Sequence, residues 1–74
     1  MSRQIEYRVD LDERGEFRAT VYDLDCVLAN IDTEDLRFMI EHYGVRHGRD
    51  RAGLRDYFRS IGLLAASDTL LVNG

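Results

Sequence analysis

Carboxylates, two histidines and one cysteine are the side chains of this 74-residue chain whose chemistry could carry a function. His42 and His47 are five residues apart, whereas a metal-binding pair on one helix is four apart. Cys26 has no activating motif around it, and a single cysteine excludes an internal disulfide and a zinc site built from several cysteines. No histidine or aromatic residue is placed to raise the pKa of a paired carboxylate for acid–base catalysis. We therefore expect a protein that is not an enzyme and holds neither a cofactor nor a metal.

The acidic residues are concentrated in the first half of the chain. Residues 1–35 hold ten Asp and Glu residues against four arginines, whereas residues 36–74 hold four against six. A strongly negative end produces a field that selects and steers charged partners. We expect nine of these acids to form a partner-binding surface: Asp10, Asp12, Glu13, Glu16, Asp23, Asp25, Asp32, Glu34 and Asp35.

Two strands must position the first of these acids. Alternating apolar and polar residues predict strands over residues 5–11 and 17–22. A three-residue loop ending at Gly15 places Leu11 opposite Phe17, so that apolar side chains face one another, and supplies the left-handed residue that such a loop needs.

The same register determines what lies at the hairpin tip. It pairs Asp10 with Arg18 on the outer face and sets Asp12 opposite Glu16, where two like charges cost stability. Glu13 lies beside them. We interpret Asp12, Glu13 and Glu16 as an acidic group that folding alone does not require, and a solvated turn is the alternative interpretation.

The remaining elements follow from caps and periodicity. Cys26–Ile31 is predicted to be a third strand with Val27, Ala29 and Ile31 facing the core and Leu28 on the other face. A first helix is predicted over Thr33–Tyr43 and a second over residues 51–61, with a short final strand over residues 69–72. The capping residues are Asp32 with Asp35, Gly44 and Asp50, and the predicted buried residues are Leu36, Met39, Ile40, Tyr43, Leu54, Tyr57, Phe58 and Ile61.

These elements predict one α+β domain over residues 1–74, a small antiparallel sheet in the order β-β-β-α-α-β with two helices packed on one face. No apolar run approaches the roughly 18 residues that span a bilayer, and a lone thiol suits a reducing cytosol. A chain this short has a marginal core. We expect a cytoplasmic monomer or homodimer without a membrane association.

Arginines on the second predicted helix offer a different function. Arg51, Arg55 and Arg59 recur every four residues and share one face. Two helices joined by a basic segment could form a helix-turn-helix whose second helix reads DNA. The net charge of −4 opposes binding to phosphates. A small DNA-binding regulator is therefore the alternative, beside a non-catalytic adaptor subunit.

Taken whole, the chain resembles the small acidic anti-CRISPR proteins of phages and mobile elements. The resemblance lies in its size, its acidity, the nine acids named above, the lack of catalytic motifs and the order of strands before helices. It implies a stoichiometric inhibitor in the bacterial host cell that blocks target DNA, with DNA mimicry as one mode. The implied partner is a protein with a basic nucleic-acid-binding surface, namely a Cas effector complex.

Overall fold

The computed structural model describes residues 2–73 and contains the predicted sequence of elements. The chain forms β1 (Gln4–Leu11), β2 (Phe17–Asp23), β3 (Cys26–Ile31), α1 (Thr33–Tyr43), α2 (Arg51–Ser60) and β4 (Thr69–Asn73). A short 3₁₀ turn, Arg46–Gly48, lies between the helices. The strands form one sheet in the order β3-β2-β1-β4, which confirms the predicted α+β class. Neither helix in the described part of the chain is long and apolar enough to cross a membrane.

The first hairpin has the predicted register. Leu11 pairs with Phe17 and Asp10 pairs with Arg18, while Gly15 has the expected left-handed conformation, with φ of 77°. This apolar pair is not buried on both sides, because the Leu11 side chain is 69% exposed. β3 ends opposite Ala19, so no third strand of residues 2–73 lies beside the hairpin beyond that point.

The third strand carries a bulge that the sequence pattern did not reveal. Ala29 pairs with Val21 but Val27 pairs with Tyr22, which leaves Leu28 as the extra residue. A bulge reverses the alternation of side chains on one side of it. Val27 is therefore exposed and Leu28 packs against the core, the opposite of the predicted phase, whereas Ala29 contacts the core as predicted.

The first helix begins and ends where its caps predicted. The Asp32 carboxylate accepts a hydrogen bond from the backbone of Asp35, whose own carboxylate accepts one from the backbone of Asp32, and Gly44 ends the helix in the left-handed conformation. Met39 is fully buried, but Ile40 is 46% exposed. Ile40 is turned about 100° from Met39 around the helix axis, so it lies outside the buried stripe.

The second helix is capped by Asp50, whose carboxylate accepts hydrogen bonds from two backbone N–H groups of the first turn. Leu54, Tyr57 and Phe58 are buried as predicted. Ile61 was predicted to complete this stripe, but the helix ends at Ser60 and Ile61 is half-exposed. A residue beyond the last helical turn no longer follows the helical stripe.

The final strand pairs with β1 in the parallel direction, so the sheet is mixed and not antiparallel throughout. Asp68 accounts for this direction. Its carboxylate accepts hydrogen bonds from the backbone N–H of Arg3 at 3.0 Å and from the Arg3 guanidinium at 2.9 Å, and the N–H of Thr69 donates to the Arg3 carbonyl at 2.9 Å. The start of β4 is thereby held beside the start of β1, and the two strands run the same way.

The core lies between one face of the sheet and the two helices, as predicted. Tyr7 is fully buried, its ring lies 5.8 Å from that of Phe58, and its hydroxyl donates to the Gly48 carbonyl at 2.8 Å. The opposite face of the sheet has no helix over it among residues 2–73. That face is mixed: the Arg8 guanidinium is stacked 5.1 Å above the Tyr22 ring, and the apolar side chains of Val27 and Leu71 are exposed in the row of paired residues that contains Tyr22.

Candidate functional site

Strand pairing brings seven of the nine predicted partner-binding acids to one end of the sheet. β1 ends, β2 begins and β3 ends toward the same end of the sheet, because consecutive strands are antiparallel, and the β1–β2 hairpin extends beyond the last residue of β3. We call this end of the sheet the acidic end, and its members are Asp10, Asp12, Glu13, Glu16, Asp32, Glu34 and Asp35. Asp23 and Asp25 lie at the opposite end of the sheet, where the turn between β2 and β3 reverses the chain.

Asp12 has a structural task at the hairpin tip. Its carboxylate accepts hydrogen bonds from the backbone N–H groups of Arg14 at 2.8 Å and Glu16 at 2.9 Å, and lies 3.9 Å from the Arg18 guanidinium. These contacts hold the turn in its register. The interpretation that folding does not require an acid at the tip is therefore wrong for Asp12.

Glu13 and Glu16 remain exposed at the same tip. Neither side chain makes a hydrogen bond or an ion pair with another of residues 2–73, nor does that of Asp10. Glu13 and Glu16 line an open depression together with Asp12 and two basic residues, Arg14 and Arg18. The tip is thus a mixed surface with an acidic excess.

The acids at the start of α1 divide in the same way. Asp32 and Asp35 form the capping box described above, and hydrogen bonds from the backbone, chiefly that of Asp35, lower the pKa of Asp32. Glu34 is exposed in the first turn, where a negative charge also complements the helix dipole. The carboxylates of the acidic end with no bond to another described residue are those of Asp10, Glu13, Glu16 and Glu34.

The two acids at the other end of the sheet have separate surroundings. Asp23 lies 3.4 Å from the Arg3 guanidinium, which also binds the buried Asp68. Asp25 is exposed in the two-residue turn after β2, next to Leu24, whose φ of 55° is unusual for a bulky side chain. Neither Asp23 nor Asp25 shares a surface with the acidic end.

The predicted arginine face lies on α2. Arg51, Arg55 and Arg59 are exposed, and Arg51 and Arg55 line one open depression with Ala52. The Arg59 guanidinium donates to the Ala66 carbonyl at 3.4 Å. No acidic side chain among residues 2–73 forms an ion pair with any of the three.

The histidines and the cysteine lie in three different parts of the fold, and only His47 comes near the acidic end, because the next residue, Gly48, closely approaches Phe17 and Leu36. Cys26 is exposed at the start of β3, and His47 is exposed in the 3₁₀ turn. His42 packs on the Phe38 ring, with a centroid distance of 4.4 Å. No group of three or more potential metal ligands is found in the described part of the chain.

Sequence reasoning missed an aromatic cluster between the helices, formed by Phe38, His42, Tyr43 and Tyr57. The Tyr57 ring lies 5.8 Å from that of Phe38 and 5.3 Å from that of Tyr43. Phe38 is nevertheless 46% exposed. The spacing of Phe38 and His42, four residues apart on one helix, was the signal that could have revealed part of it.

Comparisons with protein-family models, curated proteins and solved structures found no match to this chain. A function must therefore be inferred from the residues and their geometry.

Proposed function

We propose that this protein is a stoichiometric inhibitor that binds, through its acidic end, a basic nucleic-acid-binding surface on a protein partner. The proposal includes an anti-CRISPR role, in which the partner is a Cas effector complex in the cytoplasm of a bacterial host. It rests on one observation: antiparallel pairing directs seven acids toward one end of the sheet. Carboxylates are strong acceptors for Arg and Lys side chains, and such side chains normally hold the phosphate backbone.

The acids that contact the partner are those that the fold does not already use. Asp10, Glu13, Glu16 and Glu34 are exposed and have no bond to another described residue. Their charges act at the surface, so they raise the association rate and define the partner more than they raise affinity. The interaction therefore weakens as salt increases, and no catalytic step is involved.

The test uses a purified Cas surveillance complex and its labelled target duplex in an electrophoretic mobility-shift assay. We expect the protein to prevent the shift at one molecule per complex. The doubly reversed variant Glu13→Lys with Glu16→Lys should weaken inhibition by about tenfold, because two favourable charge contacts become repulsive. Asp12 is left unchanged, since its loss would disturb the turn.

A matched control separates location from total charge. Asp25→Lys with Asp56→Lys changes the net charge by the same amount at two exposed residues that are not members of the acidic end, one in the turn after β2 and one on α2. This variant should inhibit as well as the unchanged protein. An equal loss of inhibition in both variants would mean that only net charge matters. If the unchanged protein does not inhibit the complex, the proposed role against that complex is refuted.

A DNA-binding regulator is the second candidate, favoured by the unpaired arginine face of α2. Arg51 and Arg55 are exposed, share one depression, and lack an ion-pair partner among residues 2–73. Under this alternative the protein itself would shift labelled duplex DNA in the absence of any partner. Loss of that shift on changing Arg51 and Arg55 to Glu would favour the regulator over the inhibitor.

A further inference from the structure

Phe38 presents an aromatic ring to solvent in the middle of an acidic helix surface. Its side chain is 46% exposed, whereas Met39 beside it is fully buried. Residues three and four positions away on a helix are surface neighbours. For Phe38 these are Glu34, Asp35, Glu41 and His42. The Asp35 carboxylate belongs to the capping box and the His42 ring packs on that of Phe38, so Glu34 and Glu41 are the exposed carboxylates next to the ring that the fold does not use.

The ring is held in place from behind. Its centroid lies 5.8 Å from that of Tyr57, and Tyr57 in turn lies 5.7 Å from Phe58 in the core. The Tyr43 ring, 6.1 Å from Phe38, is fixed by a hydrogen bond of 3.0 Å from its hydroxyl to Ser60. A side chain that is already ordered loses little conformational freedom when a partner binds.

The chemistry of this surface selects its occupant. A phosphate would be repelled by the carboxylates, and an apolar side chain would leave them without partners as water is displaced. A guanidinium group satisfies both parts, because its planar face stacks on an aromatic ring while its N–H groups donate to carboxylates. Aromatic residues at such positions often carry much of the binding energy of an interface.

We propose that Phe38, with Glu34 and Glu41 beside it on the helix, is the docking site for an arginine side chain of the protein partner. This inference rests on the proposed function in one respect, that the partner is basic. It adds the position at which binding energy concentrates and the residue type that is bound. The acidic end then steers the partner, and Phe38 holds it.

The experiment titrates the isotope-labelled protein with a short arginine-rich peptide and follows amide and aromatic signals by NMR. The same peptide with citrulline in place of arginine keeps the shape but removes the charge. We expect shifts centred on Glu34, Phe38 and Glu41 with arginine and none with citrulline. Phe38→Leu, which keeps an apolar side chain but removes the ring, should weaken binding roughly two- to fivefold.

Ile40→Leu is the matched control, because Ile40 has the same exposed fraction on the same helix. It should bind the peptide as the unchanged protein does. Equal affinity for the Phe38→Leu variant, equal binding of the citrulline peptide, or shifts confined to Glu13 and Glu16 would each overturn this inference. Shifts confined to the hairpin tip would still leave the acidic end as a binding surface.

The reverse outcome is also distinguishable. If the arginine peptide binds at Phe38, but reversing Glu13 and Glu16 leaves inhibition of the Cas complex unchanged, the arginine site stands and the proposed role of the acidic end fails. A lysine peptide provides a final comparison. It should bind more weakly than the arginine peptide, because an ammonium group lacks the planar face that stacks on the ring.

Discussion

Replacing Tyr7 by Phe should destabilise the fold, because the Tyr7 hydroxyl joins the sheet to the segment between the helices. The side chain is fully buried, and its hydroxyl donates to the Gly48 carbonyl at 2.8 Å. Gly48 is also buried, and a Cβ at this position would lie 2.8 Å from the Phe17 ring. The carbonyl therefore has little room to find another donor once the hydroxyl is removed.

The expected loss of stability follows from the burial of the Gly48 carbonyl. A buried acceptor left without its partner costs about 1–3 kcal/mol, and each kcal/mol lowers the melting temperature of a domain this size by about 4–8 °C. Urea unfolding followed by circular dichroism gives the free energy, and differential scanning calorimetry gives the melting temperature. Tyr22→Phe is the control, since Tyr22 lies on the face of the sheet without helices and should change stability little.

Alkaline pH provides an independent test of the burial of the same hydroxyl. Burial raises the pKa of Tyr7 above its ordinary value of 10.0. A hydroxyl whose folded pKa is raised contributes stability that is complete below the unfolded pKa and is lost as pH rises above it. The Tyr7→Phe variant should therefore lose less stability above about pH 10 than the unchanged protein. Equal stability of variant and unchanged protein at neutral pH would refute the structural role of this hydrogen bond.

Two further changes test contacts that hold the elements together. Asp68→Asn should destabilise the protein and make its stability depend less on pH in acid. The Arg3 guanidinium, aided by two backbone N–H groups, lowers the Asp68 pKa from 3.8 to about 2. The stability that this carboxylate contributes is therefore present above about pH 4 and is lost as pH falls toward 2. Urea titrations across that range measure it, and parallel curves would contradict it. Gly53→Ala should lower the melting temperature, because a Cβ at this position would lie 2.5 Å from the Tyr43 carbonyl oxygen. Overpacking costs about 1–3 kcal/mol, whereas the higher helix propensity of Ala contributes about 1 kcal/mol. A variant more stable than the unchanged protein would disprove the close approach.

The sequence alone was sufficient for features whose causes lie within a few residues. The register of the first hairpin follows from alternation and from Gly15, and the capping box of Asp32 and Asp35 marks the start of α1. Burial of Leu54 and Phe58 follows from helical periodicity. Each of these depends on local backbone geometry, which the order of residue types specifies directly.

The candidate site was predicted only as a set of residues. The nine acids were identified because the first half of the chain contains so many acidic residues. Neither their count nor their order along the chain tells which of them lie toward the same end of the sheet. Pairing of β2 with β3 is what brings Asp32 and Glu34 to the end that holds Glu13, and sends Asp25 to the other. The exposed ring of Phe38 also depends on contacts between helices, which periodicity does not supply.

Tertiary contacts decided the remaining features, and their physical reason is distance along the chain. The direction of β4 depends on Asp68 and Arg3, which are 65 residues apart, so no local pattern encodes it. The bulge at Leu28 depends on how β3 fits beside β2. The sequence by itself determined the elements, their caps and the excess of acid in the first half, and only the packed structure decided which charges lie toward the same end of the sheet.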